Sequence, residues 1–234
     1  GYKAGGFNLD RDAVATDSVQ FEPEIVDTFE LGAKWTSAMR ALQVSTALFY
    51  SEFQDFQLVE FDGVSFSVTN AAEVSSTGAE IDLTWLPTAG LTFTLGATYL
   101  DTEFDKHPAI NRQGESLEGK RVSHAPEWSW SGSVLYEYDF SRVTAFGSLS
   151  AAYIGDHNTD PKLDKQTEVD AYTLVNGRVG VRTIDARWEV ALWANNLFDE
   201  EYHMSLFDTP LQDGSWSSFR GMPRLYGASV RYQY

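Results

Sequence analysis

Residues 194–205 read ANNLFDEEYHMS. Immediately before them, RWEVALWA (187–194) alternates cleanly, with Trp188, Val190, Leu192 and Ala194 on one side. Period-two alternation marks a strand with two unlike faces. At Asn195 and Asn196 the alternation gives way to an adjacent apolar pair, Leu197 and Phe198, and then to Asp199, Glu200 and Glu201. What lies on each side of that strand, and why it ends this way, decides the fold.

The same alternation recurs along the chain. TFELGAKW places Phe29, Leu31, Ala33 and Trp35 opposite Thr28, Glu30, Gly32 and Lys34. AEIDLTWL places Ile81, Leu83 and Trp85 opposite Glu80, Asp82 and Thr84. LTFTLGATY, EWSWSGSVLYEY, VTAFGSLSAAY, TLVNGRVGVRT and LYGASVRYQY follow the pattern, and no stretch has a convincing helical period. Tight connections are expected near 37–40, 87–90, 140–142 and 184–186. Longer polar ones cover about 9–24, 105–124, 156–170 and 204–222, with a shorter one near 60–65. Every second connection is short, so the chain reads as an up-and-down meander of about ten strands.

Two environments supply such faces. A soluble sandwich buries its apolar faces in a core. A transmembrane barrel turns them to lipid and its polar faces to the lumen. Three features favour the barrel. Trp or Tyr tends to close the apolar rows (Trp35, Tyr50, Trp85, Tyr99, Trp128, Tyr138, Tyr153, Trp188, Tyr234), as in the aromatic girdles of an interface. Loop lengths are lopsided, short on one side and long on the other. The rows extend over roughly ten residues, the length a tilted strand needs to cross the hydrocarbon.

Composition narrows the function. The 234 residues carry a net charge of −17, which repels nucleic-acid backbones, so no nucleic-acid partner is expected. There is no cysteine, so no disulfide or thiolate metal site. No apolar run of about 18 residues offers a transmembrane helix. The opening GYKAGGFN is neither a charged nor an apolar leader and suggests a piece of a longer chain. His107, His124, His157 and His203 fall in or beside long loops without metal-ligand spacing, so they read as solvated and no metal or cofactor is expected. Asp156-His157 is a lone dipeptide without an orienting partner or nucleophile, so no catalytic residue is assigned.

NNLFDEEY resembles the penultimate-strand signature of TonB-dependent outer-membrane receptors, matching at Asn196, Leu197, Phe198, Asp199 and Tyr202. GMPRLYGASVRYQY is similar to the family's closing strand, with Gly221, Pro223 and Arg224 leading in and Tyr232 and Tyr234 near an aromatic end. GYKAGGFN, FEPEIVDTFELGAKW, ALFYSEFQDFQL and NAAEVSSTGAEIDLTW resemble its middle-barrel segments, in the family's order. The resemblance implies an all-β, antiparallel up-and-down transmembrane β-barrel of 22 strands with a plugged lumen. Residues 1–234 would be its C-terminal portion, a single incomplete domain of about ten strands without the plug.

It further implies active import of a scarce ligand across the outer membrane of a Gram-negative bacterium. That ligand is expected to be a ferric siderophore or another small molecule, with energy supplied by the TonB complex through the missing N-terminal part. Outer-membrane lipid, lipopolysaccharide and the barrel assembly machinery are the other expected partners, the last reading the aromatic terminus. The loops at 105–124 and 204–222 are the ligand-contact candidates. Phe207, Trp216, Phe219, Arg220 and Arg112 are chosen because aromatic and guanidinium groups suit planar or acidic ligands. Arg112, Lys120 and Arg121 could instead meet lipopolysaccharide phosphates. Lumen-facing Arg178, Arg182 and Arg231 are expected to pair with carboxylates such as Glu189 or to contact the plug. A passive porin and a soluble β-sandwich binding module are the alternatives, and an enzyme is not expected.

In a barrel, about ten residues of strand carry the chain from the turn near Asp185 to Leu197. The asparagine pair then reaches the outer interface, where side-chain amides can satisfy backbone groups leaving the ladder. The Leu197–Phe198 pair hints at a bulge. The motif reads as structural rather than catalytic.

Overall fold

A computed structural model describes residues 1–9, 19–61, 66–107, 114–212 and 214–234. Its strands in chain order begin with β1 (Tyr2–Lys3), β2 (Gly6–Phe7), β3 (Gln20–Phe21) and β4 (Glu24–Thr36). β5 (Leu42–Phe61), β6 (Phe66–Thr88), β7 (Leu91–Lys106), β8 (Trp128–Asp139) and β9 (Val143–Ile154) follow. Then come β10 (His157–Asn158), β11 (Glu168–Val169), β12 (Tyr172–Thr183) and β13 (Trp188–Asn195). The chain closes with β14 (His203–Asp208), β15 (Trp216–Arg220) and β16 (Leu225–Tyr232). One 3-10 turn, Lys165–Thr167, precedes β11.

Ten strands form one antiparallel sheet in the order β1-β4-β5-β6-β7-β8-β9-β12-β13-β16. The sheet is open: β1 pairs with β4 at one edge and β16 with β13 at the other. The short turns expected from the sequence all lie at one end. At the other end the long connections fold into small hairpins, β2–β3, β10–β11 and β14–β15.

Register aligns the alternating faces into continuous rows. Trp35, Val44, Leu83 and Leu95 are successive partners on one face, and Val179, Leu192 and Ala228 share that face farther along. This apolar face is bare. Leu31 is 74% exposed, Leu192 60% and Val230 67%. A sandwich would cover it with a second sheet, yet the remaining sheets among the described residues are the small hairpins at one end. An uncovered apolar face of this extent marks a surface that meets a membrane or another protein, and its alternation with a polar inner face is that of a transmembrane barrel wall.

Aromatic contacts band the face at both levels. Toward the short turns, Trp85 stacks on Phe93 (5.4 Å) and Trp188 meets Tyr232 (4.6 Å). Toward the long loops, Tyr99 meets Trp128 (5.0 Å) and Trp130 stacks on Tyr153 (5.9 Å). From Trp130 to Tyr138 the strand advances roughly 27 Å at about 3.4 Å per residue. A tilt of roughly 40° leaves about 21 Å along the membrane normal, close to the roughly 25 Å apolar band of such barrels.

The inner face is polar, and two of its arginines, both on β12, hold wall carboxylates. Arg178 reaches Glu189 on the next strand at 2.6 Å and lies over the Phe146 ring. Arg182 reaches across β9 to Glu137 on β8 at 2.7 Å. A compact apolar core sits at the long-loop end, where Leu58, Val74 and Phe104 are buried among Phe53, Phe56, Val122 and Leu163. It forms because β5, β6 and β7 run on past the girdle. A bulge at Phe53–Gln57, with Asp55 in the left-handed region (φ 53°), turns both Phe53 and Leu58 inward.

Candidate functional site

The outer end is organised around Asn196. β13 ends at Asn195, and Asn196 turns into the left-handed region (φ 51°), a conformation asparagine tolerates better than most residues. The Leu197–Phe198 pair therefore lies in a turn closed by the Asp199 N–H on the Asn196 carbonyl (2.9 Å), and not in a bulge within the strand. The Asn196 side chain is buried. Its Nδ2 donates to the carbonyls of Glu200 (2.9 Å) and Met222 (3.1 Å), and its Oδ1 accepts the Glu200 N–H (2.8 Å). Its own N–H donates to Asn176 Oδ1 (3.0 Å). One side-chain amide thus satisfies three backbone groups, two of Glu200 and one of Met222, where ladder bonding has stopped.

Asp199, itself at φ 61°, accepts the Arg224 N–H at 2.8 Å, and the Arg224 guanidinium lies 3.8 Å from the same carboxylate. Tyr202 stacks on Tyr172 (4.5 Å) and covers Gly221, where any Cβ would collide with its ring. The two motifs read separately in the sequence, Asn196–Tyr202 and Gly221–Arg224, are the two halves of one clasp. It fixes the root of the β14–β15 hairpin and the entry of β16.

The hairpin presents the ligand candidates. Phe207 and Phe219 come together on it at 5.2 Å, with Phe219 well exposed. Trp216 pairs in register with Asp208, and exposed Arg220 with His203. Arg220 makes no ion pair among the described residues. Arg112 lies outside the described residues. The hairpin leans on the 156–170 connection through Thr159, whose hydroxyl accepts the Leu206 N–H at 2.9 Å and lies 2.9 Å from the Leu206 carbonyl. Beside this contact, burial pushes the Asp160 carboxyl above the usual carboxylate range, while the Lys162 N–H on its Oδ1 (2.8 Å) pulls the other way.

Lys120 and Arg121 are engaged by loop carboxylates, Glu115 at 3.3 Å and Glu127 at 2.9 Å. Of the histidines, His107 departs from the solvated reading, whereas His124 is exposed. His107 is buried edge-on against Phe104 (4.8 Å), and burial lowers its pKa. His124 and His157, distant in sequence, approach to 6.4 Å between ring centroids. Among the described residues, no three acidic or histidine side chains form a metal-binding group.

Residues 1–197 match the family described as TonB dependent receptor-like, beta-barrel. The chain belongs to this family. Its relatives are receptors and transporters of the Gram-negative outer membrane rather than enzymes. The pesticin receptor of Yersinia pestis is 26% identical over 202 residues, covering 86% of this chain and 28% of that protein. The ferrichrome outer membrane transporter/phage receptor of Escherichia coli is 25% identical over 224 residues, covering 94% of this chain and 28% of that protein. Among solved structures, the ferric yersiniabactin uptake receptor of Yersinia pestis superposes with a TM-score of 0.80 at 22% identity, over all of this chain and 34% of that one. The chain therefore spans about a third or less of the receptors it matches.

Proposed function

We propose that this chain is the C-terminal portion of the wall and outer loops of a receptor that takes up a ferric siderophore, energised through TonB. The observation carrying the reading is similarity along nearly the whole chain to receptors whose names specify iron chelates, ferrichrome and ferric pyoverdine among them. The geometry supports it. A clasped root holds a hairpin whose paired aromatic rings and free guanidinium stand at the open end of the barrel wall. Such groups suit an anionic, partly aromatic chelate. Lipopolysaccharide and the barrel assembly machinery complete the proposed partners.

The test uses the full-length receptor in detergent, titrated with ferric hydroxamate, ferric catecholate and ferric pyoverdine while tryptophan fluorescence is followed. Saturable quenching at sub-micromolar concentration by one class, with iron-free chelator much weaker, is expected. No response to any of the three, with growth on each unaffected by deleting the gene, would overturn the siderophore assignment.

A further inference from the structure

The connection between β9 and β12, residues 156–170, holds a shape of its own. Thr159, Asp164, Thr167 and Val169 are buried in it. Asn158 cross-links its two arms. Its Nδ2 donates to the Asp164 carbonyl (2.8 Å), and its Oδ1 accepts the Asp160 N–H (2.8 Å) and lies 2.8 Å from the Thr167 hydroxyl. The Thr159 N–H adds a bond to the Thr167 carbonyl (3.0 Å). A polar network satisfied in this way is rigid.

The connection is also seated on its neighbours. Leu163 packs against the buried Leu58, Val74 and Phe104 of the β5–β7 extension, and the Asn158 carbonyl accepts the His124 N–H at 2.7 Å. β14 lies against β11 and the 3-10 turn. There the Thr159 hydroxyl accepts the Leu206 N–H (2.9 Å), and its single hydrogen has two carbonyls within reach, Leu206 (2.9 Å) and Thr167 (3.0 Å). Leu206 directly precedes Phe207, the ring that meets Phe219. The β14–β15 hairpin is a two-stranded sheet separate from the wall. Two strands alone are marginally stable in water. The clasp fixes their root, and a root alone leaves a hinge. The Thr159 bond grips β14 farther out and removes that freedom.

We infer that Thr159 is a positioning residue for the ligand: its hydroxyl couples the 156–170 connection to β14 and so sets the direction in which Phe207 and Phe219 face. This rests on the reading of the hairpin as a ligand surface. Rings held in place before the ligand arrives lose less freedom on binding. Thr159 thereby contributes to affinity without touching the ligand.

The test uses the full-length receptor in detergent. Thr159→Val keeps the side-chain shape without the hydroxyl, and Thr159→Ser keeps the hydroxyl; Thr159→Ala stands in if the valine variant does not fold. Hydrogen-exchange protection is measured at residues 203–208 and 216–220. Affinity is measured for whichever of ferric hydroxamate, ferric catecholate and ferric pyoverdine the parent binds. Thr159→Val should lower protection in the hairpin and weaken binding roughly fivefold, the equilibrium effect of one hydrogen bond. Mobility of the folded barrel in unheated gels should be unchanged, and Thr159→Ser should restore both readouts. Protection and affinity both as in the parent would overturn the inference. So would lost protection with unchanged affinity, and Phe219→Ala then separates the two readings: weaker binding by that variant keeps the hairpin as a ligand surface, unchanged binding removes it. A parent that binds none of the three chelates counts against the siderophore assignment instead. Protection alone then decides, its loss in Thr159→Val supporting the inference and its retention overturning it.

Discussion

Asp199 accepts a 2.8 Å hydrogen bond from the backbone N–H of Arg224, 25 residues farther along the chain. Between them lies the whole β14–β15 hairpin, so this bond, with the Asn196 amide on the Met222 carbonyl, closes the hairpin's root. Rigidity at the root and exposure at the tip come from the same arrangement. The clasp uses short polar side chains, which cost little conformational entropy to fix.

Replacing Asn196 by Ala removes the bonds to Glu200 and Met222 and places an alanine at positive φ. Leaving buried backbone groups unpaired costs about 1–3 kcal/mol, and the left-handed conformation adds about 1–2 kcal/mol. Asn196→Ala in the full-length receptor should lower the urea midpoint in detergent, with Asn196→Asp intermediate because it keeps the acceptor. Equal midpoints for all three proteins would show that the clasp contributes nothing to stability.

Much of this was legible in the sequence, for a physical reason. Strand faces repeat every two residues, so the ten-strand meander, its short turns and the lipid-facing rows could be read directly, as could lumen-facing arginines meeting carboxylates such as Glu189, but not which arginine takes it. The rest depends on relations that alternation does not carry. β14 and β15 are short and lean on Thr159 rather than on a lipid face, so they read as loop. The Asp55 bulge shifts the parity of β5 without a glycine to announce it. Arg182 pairs over an intervening strand. His107 sits in a polar stretch, yet Phe104 buries it. The joining of Asp199 to Arg224 follows from the path of the hairpin, which neither motif contains.

A cation on the lipid face should block assembly. Leu192 lies on the exposed apolar row between Val179 and Ala228. Arg at the bilayer midplane costs roughly 2–4 kcal/mol. Leu192→Arg should reduce the folded outer-membrane fraction, measured by unheated gel mobility, whereas Leu192→Val should not. Normal insertion of the arginine variant would overturn the lipid-facing assignment.

Acidification should loosen the loop after β7. Burial lowers the pKa of His107 from 6.5, so the folded state binds fewer protons than the unfolded state at mildly acidic pH. Its contribution to stability is complete above 6.5 and is lost as the pH falls toward the lowered folded value. The hydrogen-exchange protection of residues 114–120, with the intrinsic pH dependence of exchange divided out, should fall between pH 7.5 and pH 5, and His107→Leu should flatten that dependence. An identical pH response in the two proteins would assign the effect to other groups.

The aromatic pair on the hairpin provides the sharpest check on ligand contact. Phe207 and Phe219 touch at 5.2 Å while the clasp, not this pair, holds the hairpin's root. Removing a ring that stacks on a bound chelate forfeits about 1–1.5 kcal/mol, close to a tenfold change in Kd. Phe219→Ala, the more exposed of the two, should weaken ferric-siderophore binding by about tenfold, with the urea midpoint unchanged. Phe207→Ala, half-buried, should weaken binding and also lower the midpoint slightly. If Phe219→Ala binds like the parent, the hairpin is loop packing over the barrel mouth and the ligand is held elsewhere on the wall.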